Sequence, residues 1–377
     1  MGTVLAPSSF DGRVEVVGTL RVERPHSLKV YPLLTRFLLK VVIGRILPGV
    51  LLLLLTGQIS QAGVDTGTRG VQIVLKEPEV ILRSLYDKSW AIVIGVNNYP
   101  KGDRNAPNLN YAVSDAKHVA EKLEGLGFEV RTLIDEQATR QNIVHLLADD
   151  IGPKTKENDR ILFYFAGHGA TKEKADKSFM GYILPHDYTP TKHSATAISM
   201  QQLRDASSEI KAKHMLYVMD SCFSGGLMAG RGRPPMVGNA GYQYLVNITK
   251  GRSHVVIAAG GKDQTVKEDG GSGVFTRVFL DALSQRANMP WAKDGYVTAM
   301  DLASYVMKRV PDLAPNQTPQ YGHLEGEGDV VLDIFQPLDV SGGDERSHRL
   351  YDAEQALKAE EALQKAKRKR NIAAPGF

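Results

Sequence analysis

Between Trp90 and Val310, short apolar runs alternate with segments of helical periodicity, and that alternation narrows the fold more than any other feature. Trp90-Ala-Ile-Val-Ile-Gly95, Ile161-Leu-Phe-Tyr-Phe165, Met215-Leu-Tyr-Val-Met219 and His254-Val-Val-Ile-Ala-Ala259 are apolar at almost every position. Strands read this way when helices cover both faces of a parallel sheet. Phe128–Ile134 supplies a further strand. Leu109–Leu126, Arg140–Ala148, Met200–Ile210, Val274–Leu283 and Ala299–Val310 have helical spacing; Ala116, Val119, Ala120 and Leu123 share one side of the first. The pattern predicts an α/β fold with a central, mostly parallel sheet flanked by helices.

Composition supports a packed core and excludes several classes. Of 377 residues, 42% are apolar and 23% charged, the range of ordinary globular domains. The net charge of +4 sits at one end. Residues 1–45 hold seven Lys/Arg and three Asp/Glu, so the rest of the chain is balanced. A neutral body lacks the basic footprint of nucleic-acid binding. The single cysteine, Cys222, rules out an internal disulfide framework.

The N-terminal region has the three parts of a secretory signal. Basic residues (Lys29, Arg36, Lys40, Arg45) precede the apolar core Ile46–Thr56, and small residues at Ser60 and Ala62 suit cleavage after Ala62. The core is too short to span a bilayer. Residues 1–62 are therefore expected to be a signal peptide with an N-terminal extension, and the mature protein exported to the periplasm or beyond. The alternative is an uncleaved anchor over residues 33–56, the one arrangement that would bring membrane contact. Residues 63–88 read as a linker, 228–253 as an exposed Gly/Pro/Arg-rich loop, and 336–377 as a charged C-terminal helix or tail.

Two strand ends carry the chemistry. One strand runs into Ala166-Gly167-His168-Gly169 and another into Asp220-Ser221-Cys222, followed by Ser224-Gly225-Gly226. In open α/β sheets, ligands bind beyond the carboxyl ends of strands, so one site can hold both. A thiol beside a histidine is the pairing needed for nucleophilic attack, the imidazole taking the thiol proton. Flanking glycines let backbone N–H groups approach a substrate and stabilise an oxyanion. No HExxH or close His/Cys cluster suggests a metal mechanism.

Tyr164-Phe-Ala-Gly-His-Gly169 and Asp220-Ser-Cys-Phe-Ser-Gly-Gly226 resemble the two catalytic motifs of the metacaspase and bacterial caspase-like (orthocaspase) peptidases. The histidine lies 54 residues before the cysteine, near the roughly 50 typical of caspases. Ala91–Tyr99 is similar to the family's first strand and Leu109–Ala116 to the entry of its first helix. Gly273–Leu283 is similar to a late helix, and Gln317–Gln320 to a closing motif. The resemblance spans about 89–335 and implies a caspase-like three-layer fold, a cysteine endopeptidase and no cofactor.

Carried over residue by residue, it implies that Cys222 attacks, His168 is the base, and Gly169 and Cys222 supply oxyanion N–H groups. Asp220 and Asp115 would line the S1 pocket and favour polypeptides with Arg or Lys at P1. By local sequence alone, Asp115 is equally a helix N-terminal acid and Asp220 a turn cap. Ala112 and Ala166 stand where metacaspases commonly have Cys and Ser, which makes this S1 lining more apolar. Many metacaspases place paired aspartates at a calcium site; the matching Ile198–Leu203 lacks them and Asp187 is isolated, so no calcium requirement is expected. The 228–253 loop lies where caspase-like chains are often cut, and offers Arg231, Arg233, Lys250 and Arg252. The competing readings are a caspase-like scaffold that cuts nothing and a legumain-like or gingipain-like peptidase. The sequence sets no oligomeric state.

Overall fold

The computed structural model describes residues 75–102, 104, 106–222, 241–261, 267–284, 289, 291, 294–340 and 347–373. The signal-peptide and anchor expectations lie outside these residues.

In chain order the first half comprises β1 (Leu75–Lys76), α1 (Pro78–Leu85), β2 (Ser89–Gly95), α2 (Ala112–Gly125), β3 (Glu129–Ile134), α3 (Arg140–His145) and β4 (Arg160–Ala166). Next come β5 (Gly169–Glu173), β6 (Phe179–Ile183), α4 (His193–Thr196), β7 (Ile198–Ser199), α5 (Met200–Ser208), β8 (His214–Cys222), α6 (Tyr242–Ile248) and β9 (Ser253–Gly260). The chain continues through β10 (Glu268–Asp269), β11 (Ser272–Gly273), α7 (Val274–Ser284), β12 (Tyr296–Thr298) and α8 (Ala299–Leu313). It closes with β13 (Gln320–Gly326), β14 (Val331–Ile334), β15 (Leu338–Asp339) and α9 (Ser347–Ala373).

The predicted apolar runs are the inner strands of a six-stranded sheet, ordered β13-β9-β8-β4-β2-β3. All pairs are parallel except β13 against β9. Successive side chains point to opposite faces. Ala91, Val93, Leu162, Tyr164, Leu216 and Val218 meet α2, α7 and α8 on one face. Ile92, Ile94, Phe163, Phe165, Tyr217 and Met219 meet α3 and α5 on the other. The expected three layers are present. By the same alternation Asp220 falls on the α2/α7 face, two residues beyond Val218.

The register aligns the strand ends that matter. Gly95 lies opposite Ala166, and Ala166 opposite Asp220. Between Met219 and Cys222 the β8–β9 register shifts, so Cys222 faces Gly260. Such irregularities re-aim side chains next to active sites.

Three expectations need correction. Within the 63–88 linker, residues 75–88 hold β1 and α1, with Val80, Ile81, Leu85 and Tyr86 in a third hydrophobic cluster. Within the 228–253 loop, α6 buries Tyr242, Leu245 and Val246 in that cluster. There Arg252 is no exposed cleavage point: its guanidinium donates to Glu325 and to the carbonyls of Ser207 and Ile210. Arg231 and Arg233 lie outside the described residues. The C-terminal segment does form a helix, α9, but its first turns are docked rather than fully solvated. Leu350 and Ala353 are buried, and Lys76–Glu354, Arg83–Glu360 and Arg349–Asp87 pair α9 with the N-terminal elements. These short elements read as linkers because their apolar faces are only a few residues long and find partners far along the chain.

Candidate active site

At the carboxyl ends of β4 and β8 is a cleft lined by Asp115, Ala166, His168, Gly169, Asp220 and Glu268 among others. The predicted S1 residues, the predicted base and one predicted oxyanion donor thus share one cavity. Cys222 ends β8, two residues past Asp220. Ala112 and Ala166 also line the cleft, giving the apolar wall expected of them.

His168 is held by three contacts that the sequence did not single out. Its backbone N–H donates to the Tyr99 hydroxyl at 2.7 Å, and its ring lies 4.9 Å from the Tyr99 ring. Its Nε2 lies 2.7 Å from the Pro107 carbonyl oxygen. A carbonyl only accepts, so Nε2 carries the proton and Nδ1 is left as the basic nitrogen. Burial lowers the imidazole pKa below its ordinary value, and the Pro107 bond partly opposes this. The ring is therefore neutral and able to take a proton near pH 7. Gly167 is required here: a Cβ would lie 2.7 Å from the Tyr99 hydroxyl and 2.8 Å from the Phe165 ring.

The two predicted acids are buried, Asp115 at 2% and Asp220 at 5% exposure. Asp115 enters with the first turn of α2. Its Oδ1 accepts from Ser272 Oγ at 2.5 Å and its Oδ2 from the Gly273 N–H at 2.8 Å. Asp220 Oδ2 accepts from Thr276 Oγ1 at 2.5 Å, whereas Oδ1 has no partner among the described residues. Neither acid acts as a simple cap. Burial raises both pKa values against these hydrogen bonds, Asp220 to about 7, with the Asp115 charge adding to the rise. Gly273 sits between the carboxylates. A Cβ there would be 2.8 Å from Asp220 Oδ2 and 3.1 Å from Asp115 Oδ2.

Glu268 is a third acid, missed from the sequence. It lines the cleft from β10, and its Oε1 accepts the Tyr111 N–H at 3.0 Å just ahead of α2. The available signal was an acidic, glycine-rich stretch, Lys267-Glu-Asp-Gly-Gly-Ser272, immediately before the family-like helix at 273–283. Among the described residues no lysine or arginine pairs with Asp115, Asp220 or Glu268.

The residues matching the calcium segment do not fit that ion. Ser199 and Gln202 close a capping box on α5, and Asp187 accepts the Arg140 N–H at 2.8 Å. Calcium needs several hard oxygens converging on one point, and these are engaged elsewhere.

The Peptidase_C14 family model, described as the caspase domain, matches residues 88–325. A protein of a Desulfuromonadales bacterium, named a probable protease, is 26% identical over 154 residues, covering 36% of this chain. The chain spans 18% of that relative's length. A crystal structure of a Geobacter sulfurreducens protein is 19% identical and is matched over its full length and 66% of this chain, with a TM-score of 0.44, too low to carry an argument.

Proposed function

The chain belongs to the caspase-domain (C14) peptidase family, and on that premise we propose that it is a cysteine endopeptidase cleaving after Arg or Lys. The observation that carries this reading is the trio Asp115, Asp220 and Glu268 in the cleft beside His168, with no lysine or arginine paired to them among the described residues. A guanidinium or ammonium group at P1 would complete the charge balance and donate to these carboxylates. An Asp at P1 would be repelled.

In this reading His168 Nδ1 takes the Cys222 thiol proton and the thiolate attacks the scissile carbonyl carbon. Backbone N–H groups of Gly169 and Cys222 stabilise the oxyanion. As the tetrahedral intermediate collapses, the C–N bond breaks and the His168 imidazolium gives its proton to the leaving amine. Water, activated by the same imidazole, then hydrolyses the thioester and restores the thiol. Export is also inferred, from the basic, apolar and small-residue order of residues 29–62; N-terminal sequencing of the mature protein tests it.

The decisive assay measures hydrolysis of fluorogenic peptides with P1 Arg, Lys, Asn or Asp by the full chain, with Cys222→Ala beside it, with and without calcium. The expected result is turnover of Arg and Lys substrates alone, abolished in the variant. A preference for Asn would point to a legumain-like specificity. Folded, reduced protein that cuts none of the four would favour the scaffold reading.

A further inference from the structure

Behind the acidic cleft, two groups that do not line it hold Asp220 in place. Thr276 Oγ1 lies 2.5 Å from Asp220 Oδ2 and 2.5 Å from Tyr164 Oη. Both Thr276 and Tyr164 are fully buried. A hydroxyl has one proton, and an ionised carboxylate only accepts. Thr276 therefore donates to Asp220, and Tyr164 donates to Thr276. The chain runs one way, from β4 through α7 to the end of β8. It engages Oδ2; Oδ1 is buried and has no partner among the described residues.

We propose that Thr276 and Tyr164 are positioning residues for the P1 cation, anchoring one oxygen of Asp220 so that its carboxylate is held, ionised, at the wall of the pocket. The proposal rests on the reading of this cleft as the P1 site. Asp220 is faced by Asp115 from α2, Glu268 from β10, Tyr164 from β4 and Thr276 from α7, with His168 lining the same cleft. Burial and the two acids oppose its ionisation; the bonds from Thr276 favour it. Removing that hydroxyl raises the Asp220 pKa further. Cation recognition then fails first at low pH, where Asp220 is protonated.

The test follows kcat/KM of the full chain on a P1 Arg peptide from about pH 5.5 to about pH 9.5, which reports ionisations of the free enzyme. Alkylation of Cys222 by iodoacetamide over the same range reads the thiol and imidazole without any P1 group. Thr276→Val is expected to move the acid limb up by about one pH unit, a loss of about tenfold near pH 6.5 and little loss near pH 9. Thr276→Ser restores the wild-type limb, Tyr164→Phe moves it the same way by less, and the alkylation profile of each stays put. An unmoved limb in Thr276→Val, no rescue by serine, or an equal shift in alkylation overturns the proposal. If Thr276→Val does not fold, Tyr164→Phe decides, and an unmoved limb there counts against it. Wild-type protein that cuts neither P1 Arg nor P1 Lys sinks the P1 reading itself and this proposal with it. An active wild type with an unmoved Thr276→Val limb sinks this proposal alone.

Discussion

β4 and β8 carry buried polar residues at both ends, and the two ends differ in the charge they gather and in what they face. At the amino end Arg160 lies opposite His214. The Tyr86 hydroxyl accepts the Val331 N–H at 3.1 Å and donates to His214 Nδ1 at 2.7 Å, while His214 Nε2–H donates to the Gly251 carbonyl at 3.0 Å. Arg160 donates to Ser89 and to the Val331 carbonyl, with its guanidinium over the rings of Tyr86 and Phe128. Donors and acceptors largely close on one another, with Arg160 Nη2 left without a partner among the described residues. At the carboxyl end Asp220, Asp115 and Glu268 face each other with no paired lysine or arginine among the described residues, and Asp220 Oδ1 has no partner there. Buried polar groups are normally satisfied. Each end keeps a buried atom without a partner among the described residues; the amino end encloses a cation among rings and neutral acceptors, whereas the carboxyl end opens on a cleft and gathers three acids.

Substituting the open end is expected to have the largest effect. Asp220→Asn should cost P1 Arg substrates about 10²- to 10³-fold in kcat/KM, the loss of a charge-assisted bond worth roughly 3–4 kcal/mol. Its effect on stability should run the other way. The folded pKa of Asp220, about 7, exceeds its ordinary value. Its contribution is therefore full below about pH 4 and lost as pH rises through about 7. His214 has the opposite sign: burial lowers its pKa to about 3, so its contribution is full above about pH 6.5 and lost as pH falls. Asp220→Asn removes the first slope. Urea unfolding should find the variant more stable than wild type by about 1–3 kcal/mol at pH 8, with a smaller gap at pH 5. The same gap at both pH values would break the comparison.

Next in size is the closed end. Arg160→Met should lower stability by about 3 kcal/mol, because the Val331 carbonyl and the Ser89 hydroxyl lose their donor in the interior. The relative rates on P1 Arg and P1 Lys peptides should stay as in wild type. A changed P1 preference would show that the two ends are not independent.

The smallest expected effect sharpens the geometry of the open end. Gly273→Ala puts a methyl group against both carboxylates, so a loss of about tenfold in kcat/KM on P1 Arg is expected, at a stability cost of about 1 kcal/mol. Unchanged turnover would mean that the two carboxylates do not act from their present positions.

Much of this was legible in the sequence. The apolar runs gave the strands because a strand covered on both faces has no polar position, and the strand ends placed His168 and Asp220 where they are found. Less legible were β1, α1 and α6. Their few apolar residues meet partners up to the C-terminal helix, and no local period signals such a contact. Glu268, Tyr99, Pro107 and Thr276 were missed for a related reason. Their roles are set by what they touch across the chain, as when Thr276 meets Asp220 from 56 residues away.

By itself the sequence determined the layer architecture, the family resemblance and the candidate dyad and acids, because periodicity and short motifs are properties of neighbouring residues. Only the tertiary structure decided that three acids share one cleft, that a proline carbonyl fixes the histidine tautomer, and that a one-way chain of hydroxyls anchors one acid. Hydrogen-bond direction and burial depend on which distant groups meet, and folding alone brings them together.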